Sequence, residues 1–161
     1  METGVGDLKI LLSVFWSSTR FHLIRFSPRG TRVDSGFFSQ CLHDLRATLP
    51  EHPAGNIFLH VDNARPHRSA ASEQVIRDLG FITLPHPPYS PDLAPSDLFL
   101  FGHLKGAITG KVFHGLEELQ AAISGAISMI SQKPLRKVYN EWILRLERCM
   151  NNGSEYVHIS G

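Results

Sequence analysis

The sequence predicts an α/β domain, on three observations. Two short segments rich in β-formers open the chain, a strand–helix–strand pattern with apolar strands follows, and the C-terminal third carries two apolar stripes at helical spacing. With 161 residues, 42% hydrophobic and 19% charged, the composition supports one globular domain with a core and excludes a disordered or fibrous chain. No internal repeat or linker divides residues 1–161, so a single domain is the economical reading.

Each element follows from local chemistry. KILLSVFW, from Lys9 to Trp16, is β-rich and too short for a helix, and FHLIRFS, from Phe21 to Ser27, follows a short polar connection. These two form a predicted hairpin. After a turn at Pro28 to Gly30, Asp34 or Ser35 can cap a helix to about Leu49, with Phe38, Leu42 and Leu45 on one face. Ile57 to Val61 reads as a strand buried on both faces, interrupted only by His60 and ended by Asp62 and Asn63. A helix over Arg68 to Leu79, a stop at Gly80 and a strand from Phe81 to Leu84 then imply a parallel pair with a right-handed crossover. The stretch from Pro85 to Asp97 holds five of the ten prolines, so it is a stiff, shaped loop. Ser96 or Asp97 can cap the helix that follows, to about Lys105. Two periodic helices close the chain: Leu116, Leu119, Ile123, Ile127 and Ile130 on the first, then Leu135, Val138, Trp142, Leu146 and Cys149 on the second, with Pro134 in its first turn.

Several classes are excluded by composition. Sixteen Lys and Arg against fifteen Asp and Glu give a net charge of +1, so the chain is no polybasic nucleic-acid tail. The apolar run from Ile10 to Trp16 is far shorter than the roughly 20 residues of a membrane span. Glu2 and Asp7 stand where a signal peptide carries positive charge, so a soluble, unexported protein is expected. Cys41 and Cys149 form neither a CxxC nor a zinc spacing, which fits a reducing compartment.

Two carboxylates stand out. Asp62 lies at the C-terminal end of a predicted central strand and Asp97 at a helix entrance, and open α/β sheets bind ligands beyond the carboxyl ends of their strands. Two such acids can share hard cations such as Mg²⁺, and a pair of ions about 4 Å apart serves phosphodiester chemistry. The ordinary alternative is that Asp-Asn forms a turn and Ser-Asp a helix cap.

LHVDNARPH, from Leu59 to His67, and LPHPPYSPDLAPSDLFLFGHLKG, from Leu84 to Gly106, resemble the mariner and Tc-like transposase superfamily and its insertion-sequence relatives. In that family the first segment carries the second catalytic aspartate and the second segment the third acid, at positions that match Asp62 and Asp97. Thirty-four residues separate them, the spacing of mariner elements. KILLSVFW, GTRVDSGFF and the terminal YNEWILRLERCMNNGSEY also resemble family features, so the likeness covers nearly the whole chain. It implies an RNase H-like catalytic core with sheet order 3-2-1-4-5 and C-terminal helices. It also implies Mg²⁺ (or Mn²⁺) as cofactor at Asp62 and Asp97, and DNA, both transposon ends and target, as partner. A homodimer is left open, and no membrane partner is expected.

The family's first strand carries the first catalytic aspartate in an Asp-Glu pair, and this sequence contains no Asp-Glu. The chain begins a few residues before the segment that resembles the family's second strand, and no helix-turn-helix domain is found. The resemblance is therefore to the C-terminal part of a DDE/D transposase core, lacking its first strand. The family's strand 1 lies between strands 2 and 4, so its loss leaves backbone groups on both neighbours without partners unless the strands close up or another segment enters. Asp7 and Glu2 are the nearest acids and are not assigned a catalytic role. The expected function is a fragment descended from a metal-dependent DNA-cleaving and strand-transferring enzyme, inactive as an isolated chain. A non-catalytic nucleic-acid-binding or protein-interaction module derived from a transposon is the alternative. The expected compartment is the nucleus in a eukaryote and otherwise the cytoplasm, without secretion.

Other residues have simpler readings. His60, His67, His86 and His103 lack a zinc spacing and are expected to serve shape and hydrogen bonding. Asn63 is either a support for the metal site or a turn former, and Asp92 a turn residue. Arg65, Arg68, Lys105 and Lys111 are candidates for DNA phosphates. Pro88-Tyr-Ser-Pro91 fits PxxP but is better explained as part of a rigid bridge to Asp97. Trp142 is expected in the core, and Arg145 beside Glu141 as an ion pair.

Overall fold

The computed structural model describes residues 11–28, 30, 32, 34–51, 55–86 and 93–151. The expectations for Glu2, Asp7, Lys9, Ile10, Asp92 and the Pro88–Pro91 motif lie outside these residues. Strands β1 (Leu12–Trp16) and β2 (Phe21–Phe26) form the predicted antiparallel hairpin, with Val14 opposite Ile24 and a register shift between Phe15 and Trp16. Helix α1 (Ser35–Ala47) starts at Asp34, whose side chain accepts the Phe37 N–H at 2.8 Å. Strand β3 (Ile57–His60) leads into α2 (Arg65–Arg68) and α3 (Ala70–Asp78), and β4 (Phe81–Leu84) returns parallel to β3 with Ile57 level with Phe81. A π-helical turn over Ser96–Leu100 runs into α4 (Phe101–Ile108), followed by α5 (Leu116–Ser128) and α6 (Gln132–Asn151).

The hairpin lies between two cores because its side chains alternate. Phe15 and Leu23 pack against Phe38, Leu42 and Leu45 of α1, in the core shared with Leu59, Ile76 and Phe81. Leu12, Val14, Trp16, Ile24 and Phe26 face the second core, formed by Leu100, Leu104, Leu119, Ile123 and Ile127. Cys41, on the inner face of α1, is fully buried and its thiol is free. The four described strands form two separate two-stranded sheets, β1 with β2 and β3 with β4. In the 3-2-1-4-5 order implied by the family resemblance, they correspond to strands 2, 3, 4 and 5.

Three local expectations are corrected and one is refined. The helix predicted over Arg68 to Leu79 is found as α3, and a separate helical turn, α2, precedes it: Pro66 stands in the first turn of α2, and Ser69 opens α3 by accepting the Ser72 N–H at 3.1 Å. Strand β3 is buried on one face only, since Phe58 is 56% exposed. Neither Ser96 nor Asp97 caps a helix, because the backbone is already helical at Pro95 and a capping residue needs an extended conformation. Glu141 meets Lys137 at 4.0 Å rather than Arg145. Among the described residues no helix is long and apolar enough to cross a membrane.

Candidate metal centre

Asp62 follows β3 at its C-terminal end, where the strand stops being hydrogen-bonded and the chain turns. Its Oδ1 accepts the Ala64 N–H at 3.0 Å, closing an Asx turn, and the Nδ1–H of His67 at 2.6 Å. The turn reading of Asp62 is thus correct for one oxygen. These two bonds leave Oδ2 without a donor in the local turn, on a side chain 59% exposed. Asn63 donates from Nδ2 to the His86 carbonyl at 2.9 Å, which ties the Asp62 turn to the chain leaving β4.

Asp97 arrives from the other side, in the first turn of the π-helical segment. Burial pushes its carboxyl up from the ordinary carboxylate value; the charge of Asp62 pushes in the same direction, and His86 opposes both. Burial also holds the His60 imidazole down at about 4, helped by the charge of His86 and opposed by that of Asp62. The charges of Asp62 and His86 thus bear on both Asp97 and His60. His60 Nε2 and His86 Nδ1 share a hydrogen bond at 3.1 Å.

The donor set suits a hard cation. Two carboxylates from separate elements supply oxygen, the ligand that Mg²⁺ and Mn²⁺ prefer, and a cation there would offset the charge of Asp62, which adds to burial in raising Asp97. Among the described residues no group of three or more His, Cys, Asp or Glu side chains is arranged around one metal position. The histidines have other occupations: His60 and His86 bond each other, His67 holds Asp62, and His103 stacks on Phe99 with ring centroids 5.7 Å apart. Arg65, Lys105 and Lys111 are exposed, while Arg68 reaches Glu73 at 3.8 Å.

Two tryptophans position the acidic helix turn, and sequence reasoning missed both roles. Trp16 Nε1–H, at the end of β1, donates to Ser96 Oγ at 3.1 Å, next to Asp97. Trp142 Nε1–H, in α6, donates to the Leu93 carbonyl at 2.7 Å in a buried bond. The indole of Trp142 also lies 5.0 Å from His60, so α6 braces both the β3 terminus and the approach to Asp97. The helical stripe placed Trp142 in the core, where it is 3% exposed, but nothing in a stripe reports a bond made by the indole N–H.

The chain is similar to known proteins in sequence and in fold. The "Histone-lysine N-methyltransferase SETMAR" of Homo sapiens is 31% identical over 155 residues, which cover 92% of this chain and 22% of that protein. The "Mariner Mos1 transposase" of Drosophila mauritiana is 28% identical over 156 residues, covering 92% of this chain and 45% of that protein. The chain thus spans less than half the length of these curated relatives. The crystal structure of the catalytic domain of Mos1 mariner transposase superposes with a TM-score of 0.83 at 24% identity, over 92% of this chain and 76% of that one. The Mos1 mariner paired end complex with Mn gives 0.86 at 23% identity, over 98% and 48%. The fold is that of the Mos1 catalytic domain, RNase H-like. A model of the DDE superfamily endonuclease family matches residues 12–120, two thirds of the sequence, and with that match the chain belongs to the DDE superfamily endonucleases.

Proposed function

We propose that the chain is the part of a mariner-type DDE/D transposase catalytic domain that carries two of its acids, Asp62 and Asp97, and that these hold Mg²⁺ or Mn²⁺. The observation that supports this reading is the placement of the two carboxylates, one at the end of β3 and one in the helix turn after the Pro-rich loop, with the charge of Asp62 adding to burial in raising the Asp97 carboxyl. Mos1 catalytic-domain structures with Mg and with Mn, and complexes with transposon ends, support the choice of cation and of DNA as substrate. A divalent cation, when bound, polarises a phosphodiester and steadies the leaving oxygen.

The protein's own groups do the rest. Asp62 offers Oδ2 while His67 and Ala64 fix Oδ1. Asp97 is held in place by the anchoring of Ser96 to Trp16. Exposed Arg65, Lys105 and Lys111 are available to DNA phosphates. Two carboxylates do not fix two ions, so the isolated chain binds metal weakly and does not cleave DNA. Paired-end complexes of Mos1 support a dimer as the assembly in which such a domain acts, and a DNA substrate points to the nucleus of a eukaryotic host or a bacterial cytoplasm.

Nicking of supercoiled DNA with Mg²⁺ or Mn²⁺ tests the inactivity, and water-proton relaxation with Mn²⁺ tests the site. The expected result is no nicking, with weak Mn²⁺ binding that Asp62→Asn and Asp97→Asn each abolish. Nicking lost in Asp62→Asn would show an active enzyme instead. The exposed cations Arg65, Lys105 and Lys111 support one second reading, a non-catalytic DNA-binding module. Salt-sensitive DNA binding unchanged by both Asn substitutions, with no Mn²⁺ binding, would select it.

A further inference from the structure

Thirty-four residues of chain separate Asp62 from Asp97, so the spacing of the two acids is decided by contacts across space and not along the backbone. Neither carboxylate is free to adjust that spacing alone. The Ala64 N–H and His67 hold Oδ1 of Asp62, so the place of its other oxygen follows from where β3 ends. Asp97 rides on backbone that is already helical at Pro95, so its place follows from that segment.

One side chain touches both segments. The ring of Trp142 lies 5.0 Å from the imidazole of His60, two residues before Asp62, and its Nε1–H donates at 2.7 Å to the carbonyl of Leu93, four residues before Asp97. The indole is itself fixed. It is 3% exposed, Tyr139 meets it edge-on with ring centroids 5.3 Å apart, and Leu135 and Val138 are buried on the same face of α6.

Cation size makes the spacing consequential. Oxygen ligands stand about 2.0–2.1 Å from Mg²⁺ and about 2.3–2.6 Å from Ca²⁺, so two ligands on opposite sides of the ion must part by roughly 0.4–1.2 Å more for Ca²⁺. A frame that holds its ligands to within about 0.5 Å distinguishes the two ions, and a looser frame does not.

We propose that Trp142 determines the cation specificity of the site: by holding the end of β3 and the approach to Asp97 against one rigid indole, it keeps the two carboxylates at a spacing that favours Mg²⁺ over Ca²⁺. This rests on the reading of Asp62 and Asp97 as the metal ligands. Trp142 is a positioning residue and touches no metal.

The test uses the full chain loaded with Mn²⁺, followed by water-proton relaxation, with Mg²⁺ and Ca²⁺ as displacing ions. The quantity read is the ratio of Ca²⁺ to Mg²⁺ concentration that displaces half of the Mn²⁺. Partial unfolding lowers the apparent affinity for both ions by the same factor, so a merely structural role leaves this ratio unmoved. The ratio is expected to exceed one in the parent and to fall about tenfold in Trp142→Phe, the lower end of what support of a ligand contributes. Benzothienylalanine at position 142, which keeps the ring's size and lacks only the N–H donor, is expected to lower it likewise and decides the matter where Trp142→Phe fails to fold. Gly80→Ala, which strains the backbone at the other end of β4, is expected to leave the ratio at the parent value. A ratio of one or below in the parent, a parental ratio in the position-142 variants, or an equal fall in Gly80→Ala would each overturn the proposal while Mn²⁺ binding stands. Mn²⁺ binding that is absent, or indifferent to Asp62→Asn and Asp97→Asn, would overturn the metal reading and this inference with it.

Discussion

His67 Nδ1 stands 2.6 Å from Asp62 Oδ1, and this bond determines which oxygen of the carboxylate remains available. Five residues separate the partners in sequence, and α2 brings the ring back over the turn. A side chain that fixes a ligand's rotamer acts on affinity through that ligand. On the proposed metal role of Asp62, His67→Ala is expected to weaken Mn²⁺ binding by about tenfold, the lower end for such support because Asp62 is largely exposed. His67→Asn, which keeps a donor near Nδ1, is expected to recover part of the loss. Water-proton relaxation measures both.

Acid stability should depend on His60. Its pKa falls from 6.5 in the unfolded chain to about 4 in the folded one, chiefly through burial. The unfolded state therefore takes up a proton at His60 before the folded state does. Its contribution is fully present above pH 6.5 and is lost progressively as pH falls toward 4. The raised carboxyl of Asp97 acts in the opposite sense, because protonating it at low pH favours the folded state. Thermal midpoints of the parent and of His60→Gln measured through this window are expected to converge as pH falls.

Removing the Trp142 indole N–H should be costly. Trp142→Phe keeps an aromatic ring in the core but strips the buried Leu93 carbonyl of its donor. Leaving a buried acceptor unpaired costs about 1–3 kcal/mol, to which the smaller ring adds a packing loss. Urea denaturation is expected to show a lower midpoint, with exchange at Leu93 to Asp97 faster than in the parent before global unfolding.

Gly80 turns the chain from α3 into β4 at φ +78°, and a Cβ there would meet no atom within 4 Å. The cost of Gly80→Ala is thus one of backbone conformation alone, about 1 kcal/mol, read in the same denaturation curves. A loss of several kcal/mol would mean that the turn is held by something beyond its dihedral angles.

Local periodicity made most of the fold legible, and it failed where contacts distant in sequence decide. Phe81 to Leu84 emerges with the predicted bounds because a glycine and a proline flank a short apolar run. The start at Ser69 was readable in principle, since Ser is a preferred N-cap whose hydroxyl accepts the N–H three residues on and Glu73 follows in the first turn, but the predicted helix starts at Arg68 instead. Exposure of Phe58 was not readable, because a short apolar run looks the same whether one face or two are covered. At the candidate site the two acids followed from motif wording. The His60–His86 pair and the two indole bonds did not, as they join residues 26, 80 and 49 positions apart.

The buried thiol of Cys41 gives the protein an internal clock. Burial raises its pKa, and the side chain has no access to solvent, so an alkylating reagent reaches it only when α1 lifts from the hairpin. Cys149 on α6 is partly exposed and is labelled without such an opening. Masses bearing one and two adducts therefore accumulate at separate rates, and the slower rate times the opening of the core within a single sample.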